Sequence, residues 1–159
     1  MAYSSPSSTT TVQPSKTQQL STNSLVHCLI KLTSRDNLSH VKMVFSLLAT
    51  LTLSSECRNI MFKGNFFGEF TELNPRKTKK TKRQQLLEVC WLELLLNLSF
   101  SVEGQQMILK IKESVDLLLE FMECRQGQAS EVSLLVIRNL CCHSSNKPKL
   151  LANDKLLPE

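Results

Sequence analysis

A chain of 159 residues, 42% of them hydrophobic, is long enough to bury one domain-sized core. No stretch approaches the roughly eighteen apolar residues of a membrane span, the densest, Trp91 to Leu98, being broken by Glu93 and Asn97. The net charge of +5 is local: Arg76, Lys77, Lys79, Lys80, Lys82 and Arg83 place six cations within eight residues, and without them the chain sums to −1.

Residues 1–22 are rich in Ser, Thr, Gln and Pro, with too few apolar side chains to offset the entropy of ordering. They read as a disordered lead-in that lacks the apolar core of a signal peptide and the arginines of an organelle-targeting one. With no secretory signal, the expected setting is soluble and intracellular. The six cysteines then read as reduced thiols. Cys28, Cys90 and Cys124 sit among apolar helical residues, and the adjacent Cys141 and Cys142 face different sides of a helix. The Asn37-Leu-Ser39 and Asn97-Leu-Ser99 sequons are idle in that compartment.

Periodicity and caps predict helices throughout. Ser24 to Leu32 is the first. Leu38 to Leu53 follows, with Val41, Val44, Leu47, Leu48 and Leu51 on one face. Ser55 caps Glu56–Lys63, which Gly64 ends through a left-handed position. Phe66, Phe67 and Phe70 form an aromatic anchor within Asn65–Leu73, and a basic loop occupies 74–83. Gln84–Ser99 is apolar nearly all round, as a helix buried on all sides would be. Ser101 caps Glu103–Ile111, and Val115–Met122 packs beside it through Val115, Leu118, Leu119 and Met122. After a loop at Arg125–Ala129, Ser130 caps a long helix carrying Val132, Leu135, Val136 and Leu140. Asn146 caps a final short helix that tolerates Pro148 in its first turn. No strand alternation or hairpin signal persists, so the fold class is all-α.

One pattern occurs three times. Leu48-Ala-Thr-Leu51, Leu95-Leu-Asn-Leu98 and Ile137-Arg-Asn-Leu140 each close an apolar run, followed by a short polar turn and a second short helix. Leu51 and Leu98 are 47 residues apart, and Leu98 and Leu140 are 42 apart. Armadillo and HEAT units repeat at about 40–47 residues and stack because no unit buries its own apolar face. Residues 23–159 therefore read as an armadillo/HEAT-like α-solenoid fragment of about two to three repeats, interrupted by the basic loop. It reads as truncated at its C-terminus, where Leu150, Leu151, Leu156 and Leu157 lack a covering layer. Solenoids usually bind rather than catalyse.

Several strings carry a resemblance to a known family. Leu94-Leu-Leu-Asn-Leu-Ser99, Glu103-Gly-Gln-Gln-Met-Ile-Leu109 and Val115-Asp-Leu-Leu resemble the C-terminal armadillo-like region of the rotatin family. Arg138-Asn-Leu-Cys with Asn146-Lys-Pro-Lys-Leu-Leu-Ala-Asn153 does so too, as does Leu48-Ala-Thr-Leu with Ser55-Glu-Cys-Arg58 and Lys63-Gly-Asn-Phe66. The resemblance covers roughly residues 25–157. It implies a large helical-repeat scaffold at centrioles and ciliary basal bodies, linked to centriole assembly, ciliogenesis and left–right axis formation. Its implied partners are centriolar or ciliary proteins, and its implied location is the cytoplasm, cytoskeleton, centrosome and cilium basal body. The chain is much shorter than a whole family member, and the basic run is not among the residues that carry the likeness.

Two sets of residues are candidate sites. Arg76, Lys77, Lys79, Lys80, Lys82 and Arg83 form a basic interaction strip, interleaved only by Thr78 and Thr81. Such a run suits a nuclear localisation signal, a contact for acidic tubulin tails or lipids, or a phosphate-binding strip. Its ordinary reading is a solvated linker. No aromatic residue interleaves, so base stacking is unsupported and specific nucleic-acid binding is not expected. Asn97 and Asn139 precede the repeated Leu of two long helices, the place where peptide-binding armadillo proteins set an Asn ladder; Thr50 holds it in the first. Those proteins put Trp one turn earlier, whereas this chain has Glu93 and Leu135, and helix-end hydrogen bonding is the ordinary alternative.

Cys141-Cys142-His143 is the single ligand-type cluster in the sequence, with no second Cys or His pair at zinc spacing. With no nucleophile elbow or phosphate loop, the chain reads as a non-enzyme without cofactor, metal or small-molecule substrate. Two rival readings stand beside the scaffold: a nuclear or nucleic-acid-associated adaptor acting through 76–83, and a truncated isoform without independent function.

Overall fold

Several helix starts along this chain are set by side chains that accept from the free N–H groups of the first turn. In the structure, a computed structural model describing residues 16–124, 127–153 and 156, Asn37 Oδ1 accepts from the Ser39 and His40 amides at 3.0 and 3.2 Å. That starts α2 (Leu38–Leu51), which follows α1 (Lys16–Leu32). Ser54, one residue before the expected Ser55, caps α3 (Ser55–Lys63). A short α4 (Gly68–Thr71) leads to α5 (Lys82–Ser99), which opens on a reciprocal box of Thr81 and Gln84. Ser101 caps α6 (Val102–Ile108), and α7 (Ser114–Glu123) and α8 (Gln128–Cys142) follow. A 3-10 turn at Ser144–Asn146 leads into α9 (Lys147–Leu151), and the described residues contain no strand. The fold is all-α.

Several expectations are corrected. Helix α1 starts at Lys16, inside the stretch read as a disordered lead-in; residues 1–15 lie outside the described residues. Val26 is fully buried and Leu29 and Ile30 are partly so, which anchors the helix, and once nucleated a helix propagates cheaply through Gln and Lys. Gly64 is not left-handed. Asn65 takes that conformation at φ 54°, and the Asn65 and Phe66 amides return to the Phe62 and Met61 carbonyls at 3.2 Å each, closing a Schellman motif. Helix α8 begins at Gln128, not after Ser130, whose hydroxyl donates to the Met122 carbonyl at 3.2 Å. Residues 125–126 of the loop placed before it lie outside the described residues. Leu47 and Leu135, counted on apolar stripes, are exposed, and Phe45, Ala49 and Ile137 are buried in their helices instead. On α7 the fully packed side chains are Leu117, Leu118 and Phe121. Cys28, Cys141 and Cys142 are exposed, whereas Cys57 and Cys90 are buried.

The long helices stand in a row, α2 against α5 and α5 against α8, with α1 on α2 and α3 and with α7 on α8. Helix α5 is the middle of that row and is buried on most sides through Cys90, Trp91, Leu92, Leu94, Leu95 and Leu98. Trp91 gathers the aromatics: its ring lies 5.1 Å from Phe45 on α2 and 4.5 Å from Phe66, with Phe67 and Phe70 at 6.2 and 6.3 Å. Such edge and tilted contacts suit the ring quadrupole.

The threefold sequence pattern has a structural counterpart. After α2, α5 and α8 a buried polar side chain from the following segment turns back to a helix-end carbonyl six residues earlier. Arg58 donates to the Thr52 carbonyl at 2.8 Å, Gln105 to Ser99 at 2.8 Å and Asn146 to Leu140 at 2.9 Å. The last carbonyls of a helix have no partner within it, so each clasp satisfies a group that burial would otherwise strand.

Candidate functional site

The basic segment runs from the end of α4 into the first turn of α5, and the structure divides it. Pro75 is buried, and its carbonyl accepts from Lys80 at 2.9 Å and from the Cys124 thiol at 3.4 Å. Lys80 also meets both oxygens of Glu88, at 2.7 and 2.9 Å, in a pair only 15% and 8% exposed. A buried charge is tolerated where it is paired and hydrogen-bonded, and Lys80 meets both conditions. Arg76 reaches Glu123 at 3.1 Å and Glu120 at 3.7 Å on α7, but from an exposed position where an ion pair contributes little.

Lys82 and Arg83 are not loop residues. They form the first turn of α5, whose dipole disfavours cations. Arg83 turns away to the carbonyls after α1, donating to Arg35 and, at 3.1 Å, to Thr33. Thr81, expected only as a spacer within the run, is the N-cap. Lys77, Lys79 and Lys82 remain exposed, and their ammonium groups have no ion pair or hydrogen-bond partner among the described residues. Beside Lys77 lies a groove of about 470 Å³ lined also by Asn74, Lys80, Gln84, Leu87, Glu72 and Glu88.

The two candidate asparagines are in different situations. Asn97 is exposed and donates to the Glu93 carbonyl of its own helix at 3.3 Å, as Thr50 does to Ser46 at 3.0 Å. Asn139 is half-buried and donates across the α5–α8 contact to the Ser99 hydroxyl at 2.8 Å. One stays within its helix and the other joins two helices, so they do not form an open row. His143 Nδ1 lies 2.7 Å from the Ser145 hydroxyl, and no group of three or more His, Cys, Asp or Glu side chains converges among the described residues. No described helix is long and apolar enough to cross a membrane.

The buried polar groups that matter most to the architecture were not anticipated. Asn146, expected as a cap, makes no side-chain cap bond. It is fully buried, donates to Gln105 Oε1 at 2.8 Å as well as to Leu140, and accepts from Gln106 at 2.7 Å. The common spacing of Thr52 to Arg58 and Ser99 to Gln105 was the available signal.

No family model matches the chain, and no solved structure does. Two relatives do: rotatin of Mus musculus is 36% identical over 138 residues, and rotatin of Homo sapiens 39% identical over 138 residues. The chain resembles a region of rotatin. The matched residues make up 85% of this chain but 6% of each rotatin, so the chain spans a small part of the length of these relatives.

Proposed function

We propose that the chain is a protein-binding segment of the rotatin type, built as two to three armadillo/HEAT-like repeats. The observation that carries this reading is the rotatin likeness across 85% of the chain. The recurring long-helix, turn and clasp supports its repeat character. In this reading the row of long helices presents an extended surface to centriolar or ciliary proteins, at the centrosome and the cilium basal body. It contributes there to centriole assembly, ciliogenesis and left–right axis specification, as a scaffold without catalysis or cofactor.

The test is where the tagged full chain resides in ciliated cells, with and without Lys77→Gln, Lys79→Gln and Lys82→Gln. Centrosomal signal in the unsubstituted chain is the expected result. Nuclear signal that the three substitutions abolish would overturn the reading and favour the adaptor acting through the basic run.

A further inference from the structure

The basic run is two devices interleaved in one segment. Lys80 and Arg83 hold the segment, to Glu88 on α5 and to the carbonyls after α1 respectively, while Arg76 adds only an exposed pair with α7. Lys77, Lys79 and Lys82 alternate with them and take no part in that attachment. A loop pinned through Pro75, Lys80, the Thr81–Gln84 box and Arg83 has little backbone freedom left to lose. Its three unpaired ammonium groups are therefore presented from a preorganised backbone and not from a flexible tail.

The surroundings select among anionic partners. The segment 74–83 holds no aromatic side chain on which a base could stack. Nor does it hold an exposed apolar side chain to enter a lipid interface: Pro75 is buried, and the neighbouring Leu73 is partly buried. What it offers beside Lys77 is a polar groove with the amides of Asn74 and Gln84 on its walls, together with Glu72 and with Glu88, whose charge Lys80 neutralises. Gln84 uses its oxygen in the capping box, accepting from the Thr81 amide at 3.0 Å, which leaves its amino group to donate. With Glu88 paired to Lys80, the three lysines leave an excess of positive charge over Glu72, and ammonium and amide donors together suit the carboxylates of an extended chain.

We propose that Lys77, Lys79 and Lys82, with the Asn74–Gln84 groove, form a docking strip for an acidic, glutamate-rich peptide segment of a partner protein. The proposal rests on reading the chain as a protein-binding segment and names the chemistry of one partner. The electrostatics confine it to a weak, salt-sensitive contact, one that gains strength when several acidic segments are presented together.

The experiment is fluorescence anisotropy of a labelled oligo-glutamate peptide with the full chain at low salt, alongside a single-stranded oligonucleotide and phosphatidylserine vesicles. Saturable peptide binding is expected. Combined Lys77→Gln, Lys79→Gln and Lys82→Gln should weaken it roughly tenfold, as the loss of three exposed ion pairs predicts. Melting should be unchanged in that variant, because none of the three holds the fold. Absence of peptide binding, binding that survives the triple substitution, or tighter binding of the oligonucleotide or vesicles would each overturn the proposal. Centrosomal residence of the tagged chain is read separately, so a failed strip with intact localisation removes this inference and leaves the rotatin-type reading standing.

Discussion

Replacing Asn146 with Ala removes a side chain that is fully buried and makes hydrogen bonds to Leu140, Gln105 and Gln106. Each bond contributes about 1 kcal/mol net, and the substitution also strands the Leu140 carbonyl and the Gln105 oxygen away from water. The expected loss is about 3 kcal/mol, a large share of the roughly 5–15 kcal/mol that holds a domain together. For a chain of this size that lowers the melting temperature by about 9 °C. Asn146→Asp separates hydrogen bonding from shape, since it keeps the volume but turns a carboxylate toward two acceptors. It should be at least as damaging as Ala. Urea unfolding followed by helical circular dichroism measures both, with Asn97→Ala as the exposed control, expected within about 0.5 kcal/mol of the parent. A loss below about 1 kcal/mol for Asn146→Ala, or an Asp variant milder than Ala, would refute the clasp as a source of stability.

Four further outcomes are expected. Lys80→Met leaves Glu88, 6% exposed, as an unpaired buried carboxylate and should cost about 3 kcal/mol in chemical denaturation, with Glu88→Leu in the same chain restoring most of it. Gly104→Ala places a Cβ against the backbone carbonyl of Leu98, where nothing can give way easily, so its melting temperature should fall sharply. Burial, with a smaller push from Glu93 and an opposing pull from Lys42, raises the Cys90 thiol from 9.0 to about 11. Between those values the unfolded chain loses that proton first, so stability falls as pH rises from about 9 to about 11; Cys90→Ala should flatten that part of the melting-versus-pH curve. A thiol reagent should modify Cys28, Cys141 and Cys142 in the folded protein but reach Cys57 and Cys90 only on unfolding, which mass spectrometry of the labelled peptides reads directly.

The candidate strip was legible as a run of charge but not as two sets of lysines and arginines. Nothing in the order of residues 76–83 separates Lys80 from Lys79. The separation exists because Glu88 lies two turns into α5, on the side where the Pro75 carbonyl also points. Arg83 likewise finds its acceptors 48 and 50 residues earlier, a distance that no local pattern reports. The asparagines show the same limit: Asn97 and Asn139 occupy equivalent places in the repeat, yet only Asn139 meets a neighbouring helix through its side chain.

By itself the sequence determined the helical class, most of the helices, the Ser101 cap, the Phe66–Phe70 anchor and the recurrence of a long and a short helix. These follow from local physics, because a 3.6-residue period and a hydroxyl before it act over one or two turns. The tertiary structure decided which apolar side chains are covered, leaving Leu47 and Leu135 exposed while Phe45 and Ile137 are buried. It also turned Asn146 from a cap into a buried clasp and divided the basic run into attachment and free charge. Burial and long-range hydrogen bonding depend on which helix lies alongside, and that neighbour is chosen by the packed row of α2, α5 and α8 rather than by residues nearby in the chain.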